Sequence, residues 1–172
     1  VEVVAGTTPE EATIDTLVPD AWTRRLAAAL ASAIAEAAAE LRGVPVVRLA
    51  VDCHPWNGIL LLAVLTAAEA DADAALLDPR EMAAWDRHAM SDRLPAWALV
   101  EALEWEMRAA YESAAQTAGD HKVVAEAYFR ACAAAAANPE VAAALDLFER
   151  DPRFRVTITH PDNNREFYPP GQ

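Results

Sequence analysis

Cysteine is scarce in this chain: Cys53 and Cys132 are the two among 172 residues. That excludes a disulfide scaffold and suits a reduced, cytoplasmic protein. Glycine is nearly as rare. Gly6, Gly43, Gly58, Gly119 and Gly171 are all there are, and none stands in a GxGxxG or a P-loop, so no phosphate-cradling nucleotide loop is expected. The four histidines, His54, His88, His121 and His160, form no HExxH or His-x-His pair, and no Cys-x-x-Cys occurs. No metal and no cofactor are therefore expected. Positive charge is short as well, with 14 basic against 27 acidic residues and a net charge of -13. Such a surface repels nucleic acid and anionic lipid, which both need cationic neutralisation. It suits a basic protein partner, or simply solubility. Long apolar runs are missing too: Ile59–Leu65 is far too short to span a bilayer. The first residues, VEVVAGTTPEEATID, lack the basic-then-apolar pattern of a signal peptide.

What is present is a globular composition, 54% hydrophobic and 24% charged, of a length that suits one domain. Much of the apolar fraction is alanine, which favours helix but buries little area per residue. Residues 1–19 read as a lead-in, 20–168 as a single domain and 169–172 as a loose tail. Asp20 is a good N-cap, and Trp22, Leu26, Leu30, Ile34, Ala37 and Leu41 recur as one helical stripe that ends at Gly43.

Next, Val47, Leu49, Val51 and Cys53 alternate with Arg48, Ala50, Asp52 and His54, the period of a strand with one buried face. Ile59–Leu65 is apolar throughout, like a central strand covered on both faces. Asn57-Gly58 between them favours a tight turn, so an antiparallel hairpin is predicted over about 45–54 and 59–66. Asp78-Pro79 opens a short helix over 79–88. Pro95 opens a longer one to about 117, with Ala96, Leu99, Val100, Leu103, Met107, Ala110, Tyr111 and Ala114 inward and Glu101, Glu104, Arg108 and Glu112 outward. Gly119-Asp120 breaks the chain before a helix over 121–137, and Asn138-Pro139 starts a last one with Val141, Leu145 and Phe148 inward. RFRVTITH, residues 153–160, alternates cleanly and is expected to pair with the hairpin. The fold class is α+β: a small antiparallel sheet packed with four or five helices.

The stretch VDCHPWNG, residues 51–58, sets an acid, a thiol and an imidazole in a row. Adjacent strand residues point to opposite faces, so Asp52 and His54 share a face and Cys53 goes the other way. A Cys53–His54 dyad is excluded on a regular strand. A carboxylate beside an imidazole can orient a general base, and His160 can join if the strands neighbour. No Ser or Thr motif supplies a nucleophile. Glu101, Glu104 and Glu112 read as helix-surface acids.

Between residues 69 and 92 the chain is strongly acidic: Glu69, Asp71, Asp73, Asp78, Glu81, Asp86 and Asp92 against Arg80 and Arg87. Trp85 lies among these acids and Trp56 tops the hairpin. Exposed tryptophans amid charges suit an interface anchor with a charged rim; the other reading tucks both rings into the sheet or a helix.

The long first helix, the hairpin VVRLAVDCHPWNGILLLAVLT, the middle segment MAAWDRHAM, the following helices and the late strand FRVTITH together give about 130 residues of shared order. In that order the chain resembles an uncharacterised family of small bacterial α+β domains, some of which occur around polymorphic toxin systems. The resemblance implies a bacterial cytosolic protein of immunity type, one that blocks a toxin domain stoichiometrically. The family offers no catalytic residues to carry over. Three expectations follow. The first is an acidic protein-binding module for a basic toxin or nuclease domain, contacting it through Trp56, Glu69, Asp71, Asp73, Asp78, Glu81, Trp85 and Asp86. The second is an enzyme working through Asp52, His54 and His160. The third is an oligomerising domain using the small-residue face Ala131–Ala137, a stretch that also reads as core.

Overall fold

The computed structural model describes residues 17–116 and 121–169. Of the predicted lead-in only Leu17–Pro19 falls within them, and of the tail only Pro169; the Gly119-Asp120 break lies outside. Five α-helices, four 3-10 turns and three strands are described.

Helix α1 spans Asp20–Glu40. Its cap position is Pro19 rather than the expected Asp20, and no side chain bonds there. Asp20 instead sits in the first turn, where the helix dipole favours an acid. The predicted stripe is the buried one: Trp22, Leu26, Leu30, Ile34, Ala37 and Leu41 all face the core. Gly43, at φ 78°, turns the chain out of the helix, a conformation that costs glycine little.

Strands β1 (Val46–His54) and β2 (Ile59–Thr66) form the predicted antiparallel hairpin. One side of it differs from strict alternation. The register shifts between Val46 and Arg48, and the extra residue puts Val47 on the opposite face from Leu49, with which strict alternation would have grouped it. Val46, Leu49, Val51 and Cys53 face the helices, and Val47 faces away from them. The shift is a bulge, which re-aims side chains at a strand's start.

The sheet order is β2-β1-β3, so β2 is an edge and β1 the centre. Beyond Ile59, which is 39% exposed, and the half-buried Leu61, the run to Leu65 is nonetheless covered on both sides. Leu60, Leu62 and Val64 pack on the helices, while Ala63 and Leu65 join a second cluster with Val47, Ala50, Ala70 and Trp85. Coverage, not centrality, explains the apolar pattern from Leu62 to Leu65.

Strand β3 covers Arg150–Thr157, three residues earlier than predicted, and runs parallel to β1. The sheet is therefore mixed rather than antiparallel. A hairpin forces antiparallel pairing, but the long helical crossover between β2 and β3 leaves direction free. Pro152 hid the strand's start from the sequence reading. It is accommodated where residues 151–154 of β3 stand against Val47 alone of β1, an irregular edge that needs no ladder donor. The last residues of RFRVTITH leave β1 and meet the tail instead: Phe167 N–H donates to the Ile158 carbonyl, and Thr159 bridges to Glu166.

After β2 come α2 (Ala67–Ala72), the 3-10 turns Ala74–Leu77, Pro79–Ala84, Met90–Arg93 and Pro95–Leu99, and then α3 (Glu101–Gln116), α4 (His121–Ala136) and α5 (Pro139–Leu145). The predicted helix over 79–88 is a short 3-10 turn, capped as expected by Asp78. The predicted helix from Pro95 begins as 3-10 and becomes α-helical at Glu101, leaving Leu99 62% exposed rather than inward. Asn138 caps α5, and Val141, Leu145 and Phe148 are buried as predicted. Trp22 ties the helical layer together. Its indole N–H donates to the Leu103 carbonyl at 3.1 Å, and its ring meets Tyr128 edge-on at 5.0 Å. Within Ala131–Ala137, Ala131, Ala133, Ala135 and Ala136 are buried with Cys132, so that stretch is core.

Candidate functional site

The hairpin's end carries the chemistry. Asp52 and His54 share a face, two residues apart on β1, and His54 Nε2 lies 2.7 Å from Asp52 Oδ2. Their side chains are 25% and 12% exposed, so the bond is largely shielded. That bond raises the His54 pKa above its ordinary value, and partial burial opposes it. Arg48 lies on the same face but four residues from Asp52, about 13 Å along the strand.

Cys53 points the other way, as its position demands. It is fully buried, its thiol 3.7 Å from the Met107 sulfur. Burial pushes its pKa up, which works against a thiolate nucleophile.

Three of the four histidines gather around Trp56. The Trp56 ring meets His54 edge-on at 5.6 Å, His160 at 6.1 Å and Tyr111 at 6.5 Å; Tyr111 in turn meets His121 at 5.6 Å. Trp56 is thus half-buried in an aromatic cluster completed by Phe129. The His160 Nδ1 accepts the Asp162 N–H at 3.1 Å. A groove of about 520 Å³ opens beside the cluster, lined by Trp56, Tyr111, His121 and His160 among others. Among the described residues, no group of three or more His, Cys, Asp or Glu is placed to hold a metal ion.

The acidic segment is built differently from the expected interface. Trp85 is 1% exposed, and its indole N–H donates to the Leu76 carbonyl at 3.0 Å. It is the centre of the second apolar cluster, which corrects its reading as an exposed anchor. The acids around it hold the backbone. Glu69 accepts the N–H groups of Thr66 and Asp86 and pairs with Arg87 at 3.5 Å. Asp73 caps Ala75, and Asp78 caps Arg80 and pairs with its guanidinium, which holds the Asp78 carboxyl down at about 2. Asp71 pairs with Arg153 at 2.9 Å. Glu81 and Asp86 remain as exposed acids. Thr66-x-x-Glu69 is a capping-box spacing, a signal in the sequence that would have identified Glu69 as a cap.

The exposed tryptophan is Trp105, 73% open on α3. It lies off the apolar stripe of its helix, which is the sequence signal for it. With Glu101, Glu104 and Arg108 it borders a recess of about 260 Å³ against the hairpin turn, Asn57-Gly58. Glu104 is more than a surface acid. It is half-buried, and its carboxylate accepts the Leu60 N–H at 2.8 Å, on the outer edge of β2.

Comparison with protein-family models, with curated proteins and with solved structures finds no match to this chain. No helix among the described residues is long and apolar enough to cross a membrane.

Proposed function

We propose that this chain is an acidic protein-binding module of the cytoplasm, an immunity-type inhibitor that seats on a basic toxin or nuclease domain. One observation carries the reading. Trp105 stands open on a helix face with Glu101 and Glu104, beside a recess at the hairpin turn, in a chain of net charge -13. A large amphipathic ring with a charged rim is the composition of an interface anchor. The overall charge adds electrostatic steering of a cationic partner, which raises the association rate and weakens with salt. The binding centre therefore shifts from Trp85 to Trp105. Glu81 and Asp86 contribute to the long-range field rather than to the anchor.

The test starts with a basic protein captured at low salt, purified and titrated calorimetrically against the chain. The expected result is one-to-one binding that weakens at high salt and falls about tenfold or more with Trp105→Ala. Binding that Trp105→Ala leaves untouched overturns the placement of the anchor. Binding that salt leaves untouched overturns the electrostatic reading.

A second reading is favoured by the 2.7 Å Asp52–His54 contact beside the aromatic groove. In an enzyme, Asp52 orients His54 as an acid or base acting on a substrate held against Trp56 and His160. His54→Ala separates the two readings. It abolishes turnover in the enzyme, and it leaves binding through Trp105 intact in the inhibitor.

A further inference from the structure

Arg48 of β1 and Arg155 of β3 are direct Cα partners in the parallel ladder. Like charges opposite one another on neighbouring strands repel. None of the ion pairs among the described residues includes either arginine. Arg48 is half-buried, and its Nε is fully enclosed with no hydrogen-bond partner. Burial and then the Arg155 charge lower the Arg48 pKa, and they outweigh the pull of Glu166 and Asp78.

Both arginines line an open groove of about 640 Å³, together with Phe154 and Tyr168. That is the size of a small-molecule site. The other charged groups lining the groove have bonds elsewhere. Arg150 donates to Asp146 at 2.7 Å and lies 4.9 Å over the Phe154 ring. The Glu166 carboxylate accepts the N–H groups of Ile158 and Tyr168 at 3.0 and 3.2 Å, so it serves the tail's backbone. Among the described residues, the two guanidinium groups remain outside any ion pair, in a chain that is otherwise rich in carboxylates.

We propose that this groove binds an oxyanion, phosphate or carboxylate, carried on a small molecule with a flat apolar body. The anion lies between Arg48 and Arg155, and the body lies against Phe154 and Tyr168. A guanidinium fork matches two oxygens of either group, and an anion shared by both forks converts their mutual repulsion into a common attraction. The aromatic lining gives a reason for the ligand to be more than an inorganic ion. The site is independent of the Trp105 face and stands or falls without it.

The experiment is a calorimetric titration of the whole chain with inorganic phosphate, phenyl phosphate and benzoate in a buffer free of other oxyanions, with thermal melts run in parallel. Saturable one-to-one binding of phenyl phosphate or benzoate is expected, tighter than that of inorganic phosphate. The ranking of phenyl phosphate against benzoate tells which oxyanion the forks prefer. Arg155→Gln alters an exposed side chain and leaves the fold intact; it and Arg48→Gln should each weaken binding about tenfold. Arg24→Gln, an exposed cation on α1, should not. The melts give a second readout. Without ligand, Arg155→Gln should melt higher than the native chain, because the repulsion is relieved. With ligand, the native chain should gain and the variant should not. No saturable binding of any probe, or equal loss in the Arg24 variant, overturns the proposal.

Discussion

The Glu104 carboxylate on α3 accepts the backbone N–H of Leu60 at 2.8 Å, so a helix side chain closes part of a strand's free edge. Further along the same edge, Val64 N–H donates to the Arg87 carbonyl at 3.1 Å. An edge met at two points offers a poor template to another strand. Glu104→Ala should cost about 2 kcal/mol by leaving the Leu60 donor unpaired, whereas Glu104→Gln retains an acceptor and should cost little. Burial raises the Glu104 pKa above its ordinary 4.5, so the folded chain holds this proton more firmly than the unfolded one. The resulting stability is complete below pH 4.5 and is lost as pH rises through the folded value. Urea denaturation in steps from about pH 4 to about pH 7 should show that decline in the native chain and a flatter profile in Glu104→Gln.

The Asp52–His54 bond has its own pH window. His54 is raised above 6.5, first by its bond to Asp52, so the stabilisation is complete below that pH and fades as pH climbs through the folded value. Asp52→Asn should cost on the order of 1 kcal/mol near pH 6 and less under alkaline conditions. An NMR titration of the His54 ring protons checks the cause. The midpoint should drop in Asp52→Asn, and an unchanged midpoint would remove Asp52 from the account.

Two tryptophans should part company on substitution. Trp85→Ala empties the centre of the second apolar cluster and strands the Leu76 carbonyl, a loss of about 3–5 kcal/mol. Trp105→Ala removes an exposed ring and should stay within about 0.5 kcal/mol of the native chain. Chemical denaturation of the two variants side by side measures both.

The thiols should be silent in the native state. Cys53 and Cys132 are both fully buried, and burial holds Cys53 protonated. A chromogenic disulfide reagent should label neither at neutral pH in buffer and both in denaturant. Rapid native labelling would place one thiol at the surface.

The parts of this structure that the sequence made legible are those set by neighbours along the chain. Asn57-Gly58 and the alternation on either side announced the hairpin. The Trp22–Leu41 stripe announced α1, and Asn138-Pro139 announced the cap of α5. What stayed hidden depends on residues far apart. The direction of β3 follows from a crossover of more than eighty residues. Its start was obscured by Pro152, which the irregular pairing with β1 absorbs. Trp85 and Trp105 look alike in composition, each with acids nearby, and only the second apolar cluster decides which of them is buried. His54 and His160 both meet Trp56, and His121 joins them through Tyr111, which spacing alone does not reveal. Arg48 and Arg155 are more than a hundred residues apart and become neighbours only through register.

The two faces of the sheet are covered by unlike materials. Long helices lie over Leu49, Val51 and Cys53, while short 3-10 turns, Glu69 and Trp85 cover Ala63 and Leu65. A layer of brief turns has few cooperative bonds to break, so it detaches with less free energy than the whole domain needs to unfold. Amide exchange should accordingly run on two clocks, fast through residues 74–88 and slow through β1 and α4. The same sheet then has a permanent side and a removable one, and proteolysis should begin on the removable side while the helical core remains intact.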